Sequence, residues 1–268
     1  MDAVTGETIT YQCDALKRLV TANGLHWGEQ YTYDGYANLT QMQPTGTAGA
    51  PSLSVNVALD ANQVPTNRIS ATGVTYDNNG NLTRGFGLYL GYDLANRVAG
   101  AGVYGSQGPQ YVNDQDNHRI YSLDASGNET VYFYGVDGLK LGTYAVSFTG
   151  GNFNYTMYLN CQSNNVYFAG RLIYAEGNLV TTDRLGSVRS GGPNNLGYQA
   201  QFPYGAEYTV TANDREKYAT YTRDSLTGLD YAMNRYYSSQ WGRFLSADPY
   251  MANSGGPGDP GDPQSWNR

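Results

Sequence analysis

Charge, sulfur and imidazole are what this chain has least of. Only 15% of its 268 residues are charged, and it holds 2 cysteines and 2 histidines. Cys13 and Cys161 are too few for a disulfide framework and stand at no zinc-ligand spacing. They read as buried or incidental thiols, with a single bridge between them left open. His26 and His118 each lack a second candidate ligand and read as strand or turn residues, so no metal, cofactor or Ser/His/Asp arrangement is expected. No apolar run reaches membrane-spanning length, and Met1 to Gly6 lacks the charged and apolar regions of a conventional secretory signal. No membrane insertion is expected. There is no basic block, and a net charge of -7 with a pI near 4.7 argues against nucleic acid as a main partner. Nor does any segment sustain a helical period.

What is abundant is tyrosine and glycine, 26 and 34 residues. That tyrosine-rich composition favours half-buried strands joined by tight turns. A degenerate repeat organises them. Tyr76-Asp77-Asn78-Asn79-Gly80-Asn81-Leu82 and Tyr92-Asp93 to Val98 share Tyr, Asp, a polar residue four after the Asp and an apolar one five after it. Tyr33-Asp34 to Leu39 obeys the same template, and Cys13-Asp14 to Leu19 does so with Cys for Tyr. The interval from Asp34 to Asp77 has room for one eroded copy, and Asn113-Asp114 to Ile120 reads as a shifted one. The tyrosine ends a strand, the aspartate bonds the backbone two residues on, Asn-Gly allows the positive φ of a hairpin turn, and the apolar residue starts the return strand. Each unit is a β-hairpin that buries its face only by stacking on its neighbours.

Elsewhere Pro44 to Pro51 reads as a loop and Leu53 to Leu59 as one alternating strand. Past Tyr121 the repeat loosens into strand candidates at Val131 to Tyr134, Tyr144 to Phe148, Tyr155 to Leu159, Val166 to Tyr174 and Leu179-Val180. The densest stretch is Arg223 to Pro249. There Thr227-Gly228 reads as a turn, Leu229, Tyr231, Met233, Arg235 and Tyr237 alternate on one strand face, and the run Trp241 to Leu245 ends at Asp248-Pro249. Residues 253–268 form a Gly/Pro/Asp-rich linker and a terminal motif, after which a downstream part is expected. The fold class is all-β, with degenerate hairpins over 1–120, a core over 121–252, and the linker over 253–268.

The Tyr-Asp units resemble the YD repeats of the RHS family. The stretch from Arg223, Thr182 to Arg189, Phe202-Pro203-Tyr204-Gly205 and Pro263 to Arg268 resemble its repeat-associated core. The core residues that carry the likeness are Asp183, Gly186, Gly228, Tyr231, Arg235, Tyr236, Tyr237, Gly242, Arg243 and Phe244; the repeat residues are Tyr33, Asp34, Tyr76, Asp77, Gly80, Tyr92 and Asp93. The resemblance implies a strand-rich spiral closing into a hollow shell, as in Rhs polymorphic toxins, the C components of insecticidal toxin complexes and, more distantly, teneurins. It also implies an aspartate-dependent self-cleavage after the core and an enclosed toxin. This chain is much shorter than such a shell and stops before the cleavage segment.

The resemblance makes Asp224, Asp248 and Arg223 the candidates for self-cleavage chemistry, since two carboxylates sharing a proton can act as acid and base. Their plainer role is to hold turns. Asp77 to Asn81 is not a calcium loop, because no acid stands at its end, and Gly85 to Leu90 lacks the third glycine and helix of a dinucleotide fingerprint. The expectation is therefore a non-enzymatic structural segment, secreted or at the cell surface. Its partners would be other parts of a longer RHS chain, copies of itself in a filament or tube, or an enclosed toxin. The alternative is a surface adhesion or glycan-binding module on the same scaffold, resting on the aromatic load.

Overall fold

The computed structural model describes residues 6–47, 49–85, 87–103, 108–151, 154–191, 198–225 and 227–247. Every regular element among them is a β-strand, as the Tyr/Gly composition predicts. The strands fall into two compact units. Unit 1 comprises Met1–Phe86, Ala200–Val210 and Tyr237–Arg268; unit 2 comprises Gly87–Gln199 and Thr211–Tyr236.

Unit 1 begins with β1 (Thr10–Cys13), β2 (Leu19–Asn23), β3 (Gly28–Tyr33), β4 (Leu39–Pro44) and β5 (Leu53–Ser54), an antiparallel sheet in sequence order. Then come the hairpins β6 (Asn56–Leu59) with β7 (Pro65–Ser70), and β8 (Thr75–Tyr76) with β9 (Leu82–Gly85). Its core gathers Trp27, Leu39, Met42, Leu53, Ile69, Leu82, Phe202, Trp241 and Leu245.

Unit 2 lays ten antiparallel strands side by side in sequence order. They are β10 (Leu88–Tyr92), β11 (Val98–Val103), β12 (Gln110–Asn113), β13 (Arg119–Leu123), β14 (Glu129–Tyr134), β15 (Lys140–Gly151), β16 (Asn154–Phe168), β17 (Arg171–Ala175), β18 (Asn178–Thr182) and β19 (Val188–Gly191). A second sheet holds β20 (Arg215–Glu216), β21 (Thr222–Arg223) and β22 (Asp230–Ala232), followed by β23 (Arg235–Ser238), with β24 (Arg243–Phe244) in unit 1.

The repeat template has a direct structural meaning. At Asp14, Asp34 and Asp93 the aspartate Oδ1 accepts the backbone amides two and four residues on, as Asp93 does from Ala95 and Arg97, both at 2.9 Å, and Asp77 Oδ1 accepts the amide four on. The aspartate Oδ2 takes the side chain of the polar residue four on: Asn38 and Asn81 at 2.8 Å, Arg97 at 2.7 Å. The residue three after the aspartate sits in the left-handed region, at φ 62 for Lys17, 64 for Ala37, 87 for Gly80 and 60 for Asn96. Pairing register shifts one residue before each aspartate, for instance between Gly91 and Tyr92. This is a turn closed by a bulge with one positive-φ residue, rather than the paired positive-φ turn that Asn-Gly suggested.

The eroded copy between Asp34 and Asp77 is at Asp60, whose Oδ1 accepts from Asn62 and Val64. Beyond Tyr121 the tyrosine before the aspartate is replaced, by Leu123 and Thr182, but the geometry persists. Asp124 and Asp183 cap their turns in the same way.

Four local expectations are corrected. The stretch Leu53 to Leu59 breaks at Val55 into β5 and β6. The span from Val166 to Tyr174 is two arms joined through Ala169 and Gly170, both at positive φ. The alternation from Leu229 to Tyr237 is interrupted by a turn at Met233, φ 59, so that β22 and β23 lie on either side of it. Both cysteines are exposed and free, so neither is a buried thiol. The expected loop over Pro44 to Pro51 contains no strand beyond Pro44, apart from Ala48, which lies outside the described residues. Phe86, Asp248, Pro249 and the linker also lie outside them.

Candidate functional site

The site that concentrates unusual chemistry is the polar centre of unit 2. It arises from the residue five after the turn aspartate, which begins the return strand and in several turns is buried in the core. That position holds Leu39, Leu82, Val98 and Val188, all buried. In the Asp114 turn it holds Arg119, and in the next but one, where Gly135 takes the aspartate's place, it holds Lys140; these are 2% and 8% exposed. The copy at Asp114 is therefore not shifted. Arg119, not Ile120, takes the inward slot.

Each of these two cations is met by an acid, Asp224 just after β21 or Glu216 in β20. Arg119 Nη1 donates to Asp224 Oδ1 and Oδ2 at 2.9 and 3.0 Å and to the Tyr236 hydroxyl at 2.8 Å. Tyr111 completes the carboxylate's shell from 3.0 Å. The guanidinium lies 4.9, 4.7 and 4.5 Å from the ring centres of Tyr111, Tyr132 and Tyr231, a cation–π cage. The Tyr231 hydroxyl accepts the Arg119 amide at 2.6 Å, and Tyr134 donates to the Arg119 carbonyl. Burial alone would depress the Arg119 pKa, but Asp224 and the surrounding phenols hold it well above its usual value. Burial also pushes Tyr111 and Tyr236 upward, so both stay protonated.

Lys140 repeats the theme one hairpin on. Its Nζ lies 2.6 Å from Glu216 Oε1 and donates to Thr222 Oγ1 at 2.9 Å. A third pair, Arg223 with Asp230, is bidentate, at 2.8 Å from both Nε and Nη2. Strand pleating separates it from the other two pairs. Thr222 sits opposite Glu216 and Tyr231, while Arg223 sits opposite Arg215 and Asp230, and directly opposed residues share a face.

That register decides what the candidate residues do. Arg223 and Asp224 are neighbours in sequence, yet Arg223 holds Asp230 and Asp224 holds Arg119. The Asp224 backbone does close the Thr227-Gly228 turn, accepting from Gly228 at 3.0 Å, but its carboxylate is not the turn cap expected. Burial raises the Asp230 pKa, and Arg223 opposes the rise.

The other motif residues build structure around these pairs. Asp183 and Gly186 form the β18–β19 turn, where Gly186 has φ +86 and an added Cβ would meet Thr220 Cγ2 at 2.5 Å. Gly228 is at φ 67, and Arg235 is half-buried in β23.

In unit 1, Tyr237 donates to the Tyr204 carbonyl and packs 5.3 Å from Phe244, while Arg243 donates to the Asn67 carbonyl. Gly242, at φ 62, lies where a Cβ would strike Leu39. Tyr33 donates to the Leu19 carbonyl at 2.8 Å, and Tyr76 accepts from Ile69. Tyr92 is half-buried at the bulge before Asp93.

Unit 1 has a buried acid of its own. Glu29 is 1% exposed, and its Oε2 accepts from Tyr31 at 2.5 Å while Oε1 has no partner among the described residues. Burial raises its pKa to about 7, against the Tyr31 hydrogen bond that lowers it.

No family model matches the chain. It is 28% identical to the tRNA3(Ser)-specific nuclease WapA of Bacillus spizizenii in a 245-residue alignment that covers 84% of this chain and 10% of that protein. In fold it is similar to a chain of the Photorhabdus luminescens Tc holotoxin pore, with TM-score 0.58 and 17% identity over 91% of this chain and 14% of that one. A chain of the TcdB2-TccC3-Cdc42 crystal structure matches with TM-score 0.60 and 20% identity, over 92% and 14% respectively. These likenesses support an RHS-type architecture, all-β and built of antiparallel hairpins. The chain spans about a tenth of the length of the curated relatives it matches.

Proposed function

We propose that this chain is a non-enzymatic structural segment of an RHS-type protein: wall hairpins over 1–120, a repeat-associated core over 121–252, and a linker with a terminal motif over 253–268. In a longer chain it would enclose a toxin. Alone it would associate with copies of itself. The observation that carries this reading is the ladder of hairpins laid down in sequence order, with one aspartate-capped turn recurring from Asp14 to Asp183, which is how a wall is extended by repetition. A secreted or surface location follows from the toxin systems it resembles, and the tRNA-nuclease activity in the name of its relative would belong to other parts of that much longer protein.

The polar centre supports a structural role for Asp224. Both its oxygens are occupied by Arg119 and one also by Tyr111, which suits a fixed counter-ion rather than an acid and base exchanging a proton. Incubation of the purified chain with total tRNA should leave the RNA intact. Cleavage that co-elutes with the chain and disappears in Asp224→Asn would overturn the non-enzymatic reading.

A further inference from the structure

The hairpin β15–β16 differs from every other in length, with arms of 12 and 15 residues. It outruns its neighbours. Pairing with β14 ends at Ala145, and pairing with β17 ends at Asn165. From Val146 to Gly151 and from Asn154 to Asn160 the two arms pair only with each other among the described residues, leaving open backbone edges on both sides.

Its two faces are unlike. The register sets Tyr144 opposite Cys161, Val146 opposite Leu159, Phe148 opposite Met157 and Gly150 opposite Tyr155. Opposed residues share a face, so one side of the ribbon is apolar and aromatic. The other is mostly polar, carrying Ser147, Thr149, Thr156 and Asn160 beside Ala145 and one aromatic, Tyr158; there Asn160 donates to Ser147. The apolar side is bare: Phe148 is 55%, Tyr155 65%, Met157 59% and Leu159 42% exposed. A soluble sheet normally turns such a face inward.

We propose that this apolar ribbon face is a contact surface for a second copy of the chain, packed face to face about a two-fold axis. The proposal rests on the structural reading above and names the surface of its self-association. Charge selects the occupant. The chain carries -7 overall, so two copies repel, yet the residues from Leu141 to Gly170 include no Asp, Glu, Lys or Arg. Two ribbons can meet there without bringing like charges together.

The amount of surface fits a weak pair. Each of the four bare side chains offers about 100 Å², half of a large residue's burial. A two-fold contact then covers roughly 800 Å², below the standard size of a stable interface. Association is expected in the micromolar range rather than the nanomolar. The open edges argue against deep burial in lipid, where unpaired backbone groups find no water.

Light scattering and sedimentation over a concentration series should show a monomer–dimer equilibrium. Met157→Lys, on the apolar face, should raise the dissociation constant about tenfold or more, whereas Thr156→Lys, its neighbour on the polar face, should leave it unchanged. Hydrogen exchange reports fold and interface together: amides of β10 to β14 should be equally protected in both variants, while those from Asn154 to Asn160 gain protection with concentration only where the dimer forms. A monomer at all concentrations, equal loss in both variants, or a folded monomer that floats with zwitterionic vesicles would overturn the proposal. A folded monomer would leave the structural reading standing; that reading falls instead to tRNA cleavage by the chain.

Discussion

The two units solve the same problem, a charged group inside a stack of hairpins, in opposite ways. Unit 2 buries cations at the inward turn positions and brings an acid to each, Asp224 to Arg119 and Glu216 to Lys140. Unit 1 fills the same turn positions with Leu39 and Leu82 and buries instead a lone acid, Glu29, met by a hydroxyl. A buried pair costs much when broken and little when replaced as a whole. A buried acid without a countercharge simply takes up its proton. Unit 2 is therefore sensitive to side-chain loss, and unit 1 to pH.

The largest test of that contrast is Arg119→Met. It leaves Asp224 buried without its partner and should destabilise unit 2 by about 3–5 kcal/mol, read as lost amide protection in β12 to β14. Joining it with Asp224→Leu should restore most of the stability. If Arg119→Met alone were as stable as the parent, the pair would be irrelevant and the contrast void.

Next comes pH. The Glu29 pKa in the folded chain, about 7, lies above its ordinary 4.5. Its contribution is thus full below about pH 4.5 and fades as pH rises to about 7, a change of about 3 kcal/mol. Trp27 and Trp241 both lie in unit 1, so tryptophan fluorescence during urea unfolding at pH 5 and pH 8 should show the decline. Glu29→Gln should flatten it.

The turn aspartates carry the opposite sign. At Asp93, burial would raise the pKa, but the Arg97 and Ala95 amides and the Arg97 guanidinium outweigh it and hold it low. This contribution is present above the ordinary aspartate range and is lost as pH falls through the lowered value. Asp93→Ala should cost about 1–2 kcal/mol, seen as faster exchange at Ala95 and Arg97, and should abolish that acid sensitivity. The smallest effect is expected at Lys17, held at φ 62. Lys17→Gly removes left-handed strain but loosens the unfolded chain, for a net gain of about 0.5 kcal/mol in thermal melts. A loss there would mean that the Lys17 side chain contributes to the turn.

The hairpins were legible because their signal is local. An aspartate that bonds amides two and four residues on needs no distant partner, so the template at Asp14, Asp34, Asp77 and Asp93 already describes the turn. The copies at Asp60, with Leu59 before it, and at Gly135, without the aspartate, show that geometry outlasts the motif. The polar centre was not legible for the converse reason. A charged residue in an apolar slot reads as a slip of register, which makes Ile120 rather than Arg119 the apparent inward residue. Its partner lies 105 residues downstream, and no spacing rule connects them. One signal was present: two basic residues, Arg119 and Lys140, each five after the start of a turn. Likewise Arg223 and Asp224 stand together among the self-cleavage candidates, and adjacency in sequence hides that strand neighbours point to opposite faces.

The separation between Arg119 and Asp224 also orders events during synthesis. Each hairpin can close as soon as the return strand leaves the ribosome, because its turn bonds span only four residues and the loop to be closed is short. The guanidinium of Arg119 must wait, hydrated, until the second sheet arrives. Nascent unit 2 would then be a row of finished hairpins around an unfinished centre, and a translational pause before residue 224 would hold it there, with secondary structure complete and its core still wet.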